Sequence, residues 1–182
     1  MASGDDTTAL ALAAGRGDRA ALAEFIRATQ ADVWRFVAHQ AGRDVADDLT
    51  QEIYLRVLEA LPGFEGRASA RTWLLVIARR VVVDRIRHDA SRPRLSGANW
   101  GAITDSLLAA TSQVSALEAE ELLGHLEPDR REALVLTQLM GFSYAEAAEI
   151  AGCPVGTIRS RVARARADLV AAVERQRAET GS

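Results

Sequence analysis

The spacing of the apolar residues constrains the fold of this chain more than any other feature. In one run, Val45, Leu49, Ile53, Val57 and Leu61 follow one another at steps of four, which places them on one face of an α-helix. The chain has only four prolines, and aromatic residues make up 5 % of it. This composition favours helices over sheets. We therefore predict an all-α fold.

Glycines and prolines divide the first half of the chain into separate helices. Residues 9–41 predict two helices or one broken helix, because Gly15 and Gly17 interrupt the pattern. A further helix is predicted at about residues 45–61, where a Pro-Gly pair follows it, and another at about residues 69–88. The predicted buried side of this last helix consists of Trp73, Leu74, Ile77, Val81 and Ile86.

Capping signals mark helices in the second half as well. Ser115 and Ser143 each open an S-x-x-E sequence, the pattern in which two side chains satisfy free backbone N–H groups at a helix start. Other residues that typically start or end a helix follow at short intervals: Pro128, Gly141, Gly152 and Pro154. These signals predict four helices between residues 115 and 177.

A stretch without helical spacing separates the two halves. Residues 93–114 are rich in Pro, Gly, Ser, Asn and Thr and contain only short apolar pieces. Such a composition is typical of a linker. We therefore predict two small helical domains, residues 9–92 and 115–177, joined by a flexible linker at residues 93–114.

The basic residues are unevenly distributed. All 22 of them are arginine, and the net charge of −3 argues against a protein that coats nucleic acid without selectivity. The arginines are concentrated in residues 64–94 and 155–177, whereas residues 95–129 contain none and are acidic. This distribution predicts two separate nucleic-acid contacts on one chain.

Several other classes of protein are disfavoured. No segment has the ~20 consecutive apolar residues of a membrane span, and the start resembles no signal peptide, so we expect a cytoplasmic protein without membrane insertion. Cys153 is the only cysteine. His39, His88 and His125 lie far apart, and no phosphate loop, paired-His motif or nucleophile elbow occurs. We expect no metal, no cofactor and no enzymatic activity.

The segment 142–169 has the proportions of a helix-turn-helix, with a short helix, a tight turn at Gly152-Cys153 and a longer second helix. An apolar stripe runs along that second helix: Val155, Ile158, Val162, Ala165 and Leu169. Four arginines lie off the stripe and are predicted to project into solvent: Arg159, Arg161, Arg164 and Arg166. Such a helix can enter a major groove, where arginine grips guanine. The alternative is a solvated helix whose arginines pair with acidic neighbours, but the next acidic residue is Asp168.

The sequence of residues 141–166, GFSYAEAAEIAGCPVGTIRSRVARAR, resembles the region-four helix-turn-helix of extracytoplasmic-function (ECF) sigma factors. In that family this helix reads the −35 promoter element. The resemblance implies that role for Thr157, Arg159, Ser160, Arg161, Arg164 and Arg166. Relatives often have a bulky aromatic residue where this chain has Ala163.

An acidic side is predicted on the helix that starts near residue 45, because Asp44, Asp47, Asp48 and Gln51 share one face. It should face water or a basic protein surface. Residues 44–57, DVADDLTQEIYLRV, resemble the D-x-x-D-L-x-Q-E-x-F-L signature of sigma region two, with Tyr54 for the usual phenylalanine. The resemblance implies docking on the β′ clamp helices of RNA polymerase through Asp44, Asp47, Asp48, Leu49, Gln51 and Glu52.

Residues 64–80, FEGRASARTWLLVIARR, resemble the F-x-G…T-W-L-x-x-I-A-x-N segment of the same region, which holds the melted −10 strand. Arg80 replaces the usual asparagine. Trp73, at helical spacing with Ile77, fits the core better than a stacking platform. The resemblance implies −10 contacts from Phe64, Arg67, Arg79, Arg80, Asp84 and Arg87.

Together, these motifs identify the chain as similar to ECF sigma factors, most of all to their actinobacterial sigma-C branch. The resemblance implies a sigma region 2 bundle and a region 4 helix-turn-helix domain that direct polymerase to −10 and −35 elements. Its implied partners are core RNA polymerase (β′ clamp helices and β flap), promoter DNA and an anti-sigma factor. The alternative is a stand-alone repressor or activator, which would bind duplex DNA without polymerase, normally as a dimer on paired half-sites.

Overall fold

The computed structural model of this protein describes residues 4–90 and 122–180, and every regular element in those two ranges is helical. The predicted linker at 93–114 and the Ser115 capping box lie outside the described residues. Contacts divide the chain into two compact units, Met1–Ala98 and Asn99–Ser182. The prediction of an all-α fold is confirmed for the described residues.

The first unit is built from four α-helices and two short 3-10 segments. In chain order these are α1 (Gly4–Gly15), α2 (Arg19–Ala41), a 3-10 turn (Arg43–Val45), α3 (Ala46–Ala60), a second 3-10 turn (Leu61–Gly63) and α4 (Ala70–Ala90). The segment 9–41 therefore forms two helices. Asp18 caps the second of them by accepting hydrogen bonds from Ala20 N at 2.9 Å and Ala21 N at 3.0 Å.

The core of this unit lies where α2, α3 and α4 meet. Its largest fully buried side chains are Phe25, Val33, Phe36, Val37, Leu49, Ile53, Val57, Leu74 and Leu75. The stripe at steps of four on α3 is confirmed, except that its first member, Val45, is only half-buried.

The prediction for α4 was partly wrong. Leu74 and Val81 are buried as predicted, but Trp73 and Ile77 are half-buried and Ile86 is exposed. Leu75, Ala78 and Val82 take their places in the core. Because α4 contacts α1, α2 and α3, it buries a broad side. Apolar residues occur all around this helix, so their spacing alone does not show which side is buried.

The second unit contains the helix-turn-helix. Residues 122–124 form a helical turn, followed by α5 (Pro128–Leu134), a π-helical turn (Val135–Leu139), α6 (Tyr144–Ala151) and α7 (Val155–Thr180). Pro128 opens α5 as predicted, but the second half of the helix predicted there is π-helical. The helix-turn-helix itself consists of α6 and α7.

Local capping fixes the ends of α6. Ser143 Oγ accepts a hydrogen bond from Glu146 N at 3.2 Å, and Glu146 Oε2 accepts one from Ser143 N at 2.9 Å. Gly152 ends the helix with φ of +63°, a left-handed conformation that glycine adopts without strain. The predicted second capping box and the tight turn are both confirmed.

Among residues 155–175 of α7, the fully buried side chains lie in the first three turns. Ile158, Val162 and Ala165 are buried, as the predicted stripe requires, but Val155 is exposed and Leu169 only half-buried. With 26 residues α7 is far longer than α5 or α6, which have 7 and 8. Since helix length grows by about 1.5 Å per residue, the short helices cover only part of α7. None of the helices within 4–90 and 122–180 has both the length and the apolar character needed to cross a membrane.

Candidate functional site

The acidic face of the first unit lies on α3 and the 3-10 turn before it. Its predicted members Asp44, Asp47, Asp48, Gln51 and Glu52 are all exposed. Leu49, predicted with them, is buried in the core and cannot contact a partner directly. Leu49 belongs to the stripe that packs α3 against its own unit, so its predicted role as a surface contact was wrong.

Aromatic and polar side chains of α2 adjoin the acidic face. Trp34 Nε1 donates a hydrogen bond to Asp47 Oδ1 at 2.8 Å, and the Arg43 guanidinium lies 5.6 Å from the Trp34 ring centroid. A cleft of about 650 Å³ opens between α2 and α3 here, lined by Gln30, Ala31, Trp34, Arg35, Asp47, Thr50 and Gln51. Asp47 and Gln51 of the acidic face therefore border a concave surface.

Two exposed leucines extend this surface along α3. Leu55 is 63 % exposed, and Leu58, next on the same side, is exposed as well. Leu55 lies one turn beyond Gln51 and Glu52, so the acidic face continues into an apolar patch. Sequence reasoning named neither leucine as a surface residue, although Leu55 matches the last position of the quoted region-two signature. The available signal was that neither belongs to the steps of four that mark the buried stripe.

Tyr54, which replaces the usual phenylalanine, has a satisfied hydroxyl group. Its oxygen lies 2.7 Å from Thr29 Oγ1, and Thr29 Oγ1 donates its own proton to Phe25 O at 2.7 Å. Tyr54 must therefore be the donor to Thr29. Burial, the largest cause, and the nearby Asp32 carboxylate raise the pKa of Tyr54 to about 12.

The predicted −10 residues separate into an exposed set and a buried one. Arg80, Asp84 and Arg87 are exposed at i, i+4 and i+7 and so share one face of α4, with the half-buried Arg79 beside them. Arg67, in the loop before α4, is exposed and forms an ion pair with Glu65 at 3.2 Å.

Phe64 does not belong to the exposed set. Its ring is buried against half-buried Trp73, with 4.8 Å between the ring centroids and 42° between the planes. The prediction that Phe64 contacts DNA directly is therefore corrected: the Phe64–Trp73 pair anchors the loop to α4. Half-buried Trp73 contributes to this packing through its ring contact with Phe64.

The predicted −35 residues are also not equivalent. Arg159 and Arg164 are exposed on α7, and Arg166 is exposed while donating to Gln138 Oε1 at 2.6 Å. Thr157 and Ser160 are half-buried, and Ser160 Oγ donates to Thr157 O at 2.9 Å.

Arg161 does not project into solvent as predicted. Its Nη2 atom is bonded to Asp129 Oδ2 in the first turn of α5, and its Nη1 atom lies 3.6 Å from Cys153 Sγ in the tight turn. Only 21 % of the Arg161 side chain is exposed. The arginine lies off the apolar stripe, but its acidic partner comes from another helix, which spacing within α7 could not reveal.

Two neighbouring arginines of α5 stabilise the same unit. Arg130 Nη1 pairs with Asp168 Oδ2 of α7 at 2.6 Å. Arg131 donates hydrogen bonds to the carbonyl oxygens of Leu123, Gly124 and Leu126 at 2.8, 2.7 and 3.1 Å. Burial lowers the pKa of Arg131. Among the described residues, no three or more His, Cys, Asp or Glu side chains are grouped so that they could hold a metal ion.

Family comparisons match both units. Residues 25–92 match the family model "Sigma-70 region 2", and residues 116–169 match "Sigma-70, region 4". The chain is 55 % identical over 175 residues to the "Probable RNA polymerase sigma-C factor" of Mycobacterium bovis, which covers 95 % of both chains. It is 40 % identical over 138 residues to "ECF RNA polymerase sigma factor EcfG" of Rhodopseudomonas palustris, covering 74 % of this chain and 75 % of the relative.

Solved structures give the same result. The sigma factor RpoE of Bartonella quintana, solved in complex with the anti-sigma factor NepR, matches with a TM-score of 0.70 and 27 % identity. The match covers 84 % of this chain and 96 % of the other. CnrH, solved with the cytosolic domain of CnrY, shares the fold at a TM-score of 0.69 and 23 % identity, covering 93 % and 97 %.

Proposed function

Since the chain belongs to the ECF sigma factors, which direct promoter-specific initiation by bacterial RNA polymerase, we propose that three of its surfaces divide this work. The acidic face docks on the polymerase, the exposed face of α4 and its preceding loop hold the −10 strand, and α7 binds the −35 duplex. The sequence-based assignment to this family and its sigma-C branch is confirmed by the 55 % identity.

The acidic face supports docking on the β′ clamp helices. Phosphate would repel its carboxylates, whereas a basic protein surface would attract them and speed association. The adjoining Trp34 and Leu55 add aromatic and apolar contact area to this charged surface. Such anchors supply most of the binding energy of protein interfaces. Trp34 is already oriented by its hydrogen bond to Asp47.

The −10 function rests on the exposed face of α4. Arg80 and Arg87 can follow the phosphates of a single strand, and Asp84 between them can accept hydrogen bonds from base amino groups. Arg67 adds a further positive charge at the loop. Because Arg80 stands where relatives have asparagine, the base preference at that position is expected to differ from theirs.

The −35 function falls to the arginines of α7 that are free to approach DNA. Arg159 and Arg164 lie on the exposed side of the helix within its first three turns. An arginine that donates two hydrogen bonds to one guanine discriminates between bases by about 1–3 kcal/mol. Arg161 acts indirectly in this proposal, because Asp129 and Cys153 hold its guanidinium.

Neither nucleic-acid contact should suffice alone. With a net charge of −3, the free chain gains little from general electrostatic attraction to DNA. Docking on core polymerase fixes the distance between the two DNA contacts, so that each raises the effective concentration of the other. Sigma factors are initiation factors and not catalysts in themselves, and this chain too contributes binding, in the cytoplasm, where polymerase and promoters lie.

An anti-sigma factor is a further partner under this proposal. The Bartonella relative was solved in complex with one. The exposed acidic and apolar residues of α3 suit such a partner as well as they suit polymerase, so the two would compete.

The observation that carries the proposal is that one chain combines an acidic docking face with two separate arginine-bearing surfaces. Run-off transcription from a promoter library, with purified core polymerase and with or without this protein, tests it. Specific transcripts should require both components. Asp48→Arg should abolish them, whereas Glu174→Arg, the same charge change at an exposed position of α7, should not. If the chain alone shifts duplex DNA and core gains no specificity, it is a stand-alone regulator instead.

A further inference from the structure

One face of α1 lies against the segment that connects α3 to α4. Thr8, Leu12 and Gly15 are spaced at i, i+4 and i+7, so they share one side of the helix. Thr8 contacts Ala70 at the end of this segment, Leu12 contacts Gly66 in its middle, and Gly15 contacts Leu61 at its beginning. The helix α1 lies outside residues 25–92, which match the region 2 family model.

The contact at Gly15 joins backbone to backbone. A Cβ atom at this position would lie 2.6 Å from Leu61 O and 3.4 Å from Leu61 C. Such a distance is sterically forbidden, so only glycine lets α1 approach the 3-10 turn this closely. The start of the connecting segment is therefore held against the end of α1.

The contacts at Leu12 and Thr8 hold the rest of the segment. A methyl group at Gly66 would lie 3.4 Å from Leu12 Cδ1 and 3.8 Å from Thr8 Cγ2, so these side chains cover the loop where its φ is +73°. Thr8 Oγ1 accepts a hydrogen bond from Ala70 N at 3.0 Å, which satisfies a free N–H at the start of α4.

The loop 64–69 has no helical structure of its own, and α1 holds it at Gly66 and at the flanking residues Leu61 and Ala70. It carries Glu65 and Arg67, whose side chains are 66 % and 86 % exposed. The Phe64–Trp73 ring contact ties the loop to α4 as well. A binding loop held in its bound shape saves the entropy of ordering it during binding.

We infer that α1 is a positioning element for capture of the −10 strand, with Thr8, Leu12 and Gly15 as positioning residues that do not touch DNA. The inference rests on the proposed −10 function of the loop and α4. Loss of the Thr8 hydroxyl would free the first N–H of α4 and let the loop move, without changing any charged group that meets the DNA or the polymerase.

The test uses holoenzyme on a promoter isolated in the run-off experiment and measures open complexes by permanganate reactivity of unpaired thymines. Thr8→Val and Leu12→Ala should each reduce open complexes about three- to tenfold, the factor for losing one hydrogen bond or a similar contact. Thr8→Ser keeps the hydroxyl and should restore opening. Affinity for core polymerase should be unchanged in all three variants.

Val33→Ala, which removes buried core volume from α2, is the control for general destabilisation, and thermal unfolding is measured for each variant. If Thr8→Val matches Val33→Ala in both stability and open complexes, α1 is only structural and the inference fails. If both α1 variants open promoters normally while Arg67→Ala does not, the inference fails but the proposed −10 function stands. If Arg67→Ala, Arg80→Ala and Arg87→Ala all open normally, the proposed −10 function itself fails.

Discussion

Asp129, in the first turn of α5, holds the guanidinium group of Arg161 on α7. The aspartate side chain is 56 % exposed and that of the arginine only 21 %. The pair joins two helices across 32 residues of chain and lies beside the tight turn that precedes α7. An arginine with this environment can set the angle of α7, but its charge is already neutralised.

Arg161→Ala and Arg159→Ala should therefore weaken −35 binding in different ways. Arg159→Ala removes an exposed positive charge from the DNA-facing side of α7 and should flatten the log–log salt dependence by up to about 0.9, with no change in hydrogen exchange of α7. Arg161→Ala should leave the slope unchanged and loosen α7 by about 1 kcal/mol, the upper range for a partly exposed ion pair. Holoenzyme titrations at several salt concentrations and amide exchange of the free chain measure both effects.

Arg130→Ala is the matched control, because Arg130 pairs with Asp168 and joins the same two helices. It should loosen α7 without the loss of DNA affinity that Arg161→Ala produces. A flattened salt slope for Arg161→Ala would show instead that this arginine contacts DNA.

The stability of the first unit should fall at alkaline pH because of Tyr54. Its pKa is about 12 in the folded chain and about 10 in the unfolded chain. The stabilisation by the neutral phenol is therefore complete below pH 10 and lost as the pH rises through 12, by roughly 2 kcal/mol. Denaturant unfolding between pH 9 and 12, compared with Tyr54→Phe, measures this loss. The chain has no lysine to titrate in the same range, and an identical pH profile for Tyr54→Phe would contradict the assignment.

Arg131→Lys should destabilise the second unit by about 1–3 kcal/mol, although the charge is conserved. The guanidinium reaches three carbonyl oxygens at once, and a single ammonium group cannot reproduce that geometry. Thermal unfolding and amide exchange in α5 measure the effect. Arg130→Lys, which retains its one ion pair, should lower the free energy of unfolding by less than about 1 kcal/mol. Equal losses of stability for the two variants would show that the three hydrogen bonds of Arg131 to carbonyl oxygens do not stabilise the unit.

Leu55→Ala should weaken binding to core polymerase by about 1–3 kcal/mol, the range of an interface anchor, without lowering the stability of the free chain. The leucine is 63 % exposed, so its side chain contributes little to the free energy of unfolding. Val170→Ala is the control, because Val170 on α7 is 59 % exposed and lies on the other unit. Fluorescence anisotropy of labelled protein with core polymerase gives the affinities, and equal values for Leu55→Ala and wild type would remove Leu55 from the docking surface.

Features that depend on neighbours within a few residues could be predicted from the sequence. The Ser143–Glu146 capping box, the left-handed Gly152 and the proline at the start of α5 all appear as predicted, since a helix end is fixed by side chains within one turn. The assignment to sigma regions 2 and 4 could also be made from the sequence, because the family motifs are short and contiguous.

Packing between helices controls which predicted residues are available to a partner. Leu49 and Phe64 lie within contiguous motifs, yet both are buried. Arg161 forms an ion pair with Asp129, which lies 32 residues away in the chain. Thr8 reaches the start of α4 across 62 residues. A side chain's exposure and its distant partners depend on how separate helices pack, and the periodicity of one helix carries no information about its neighbours.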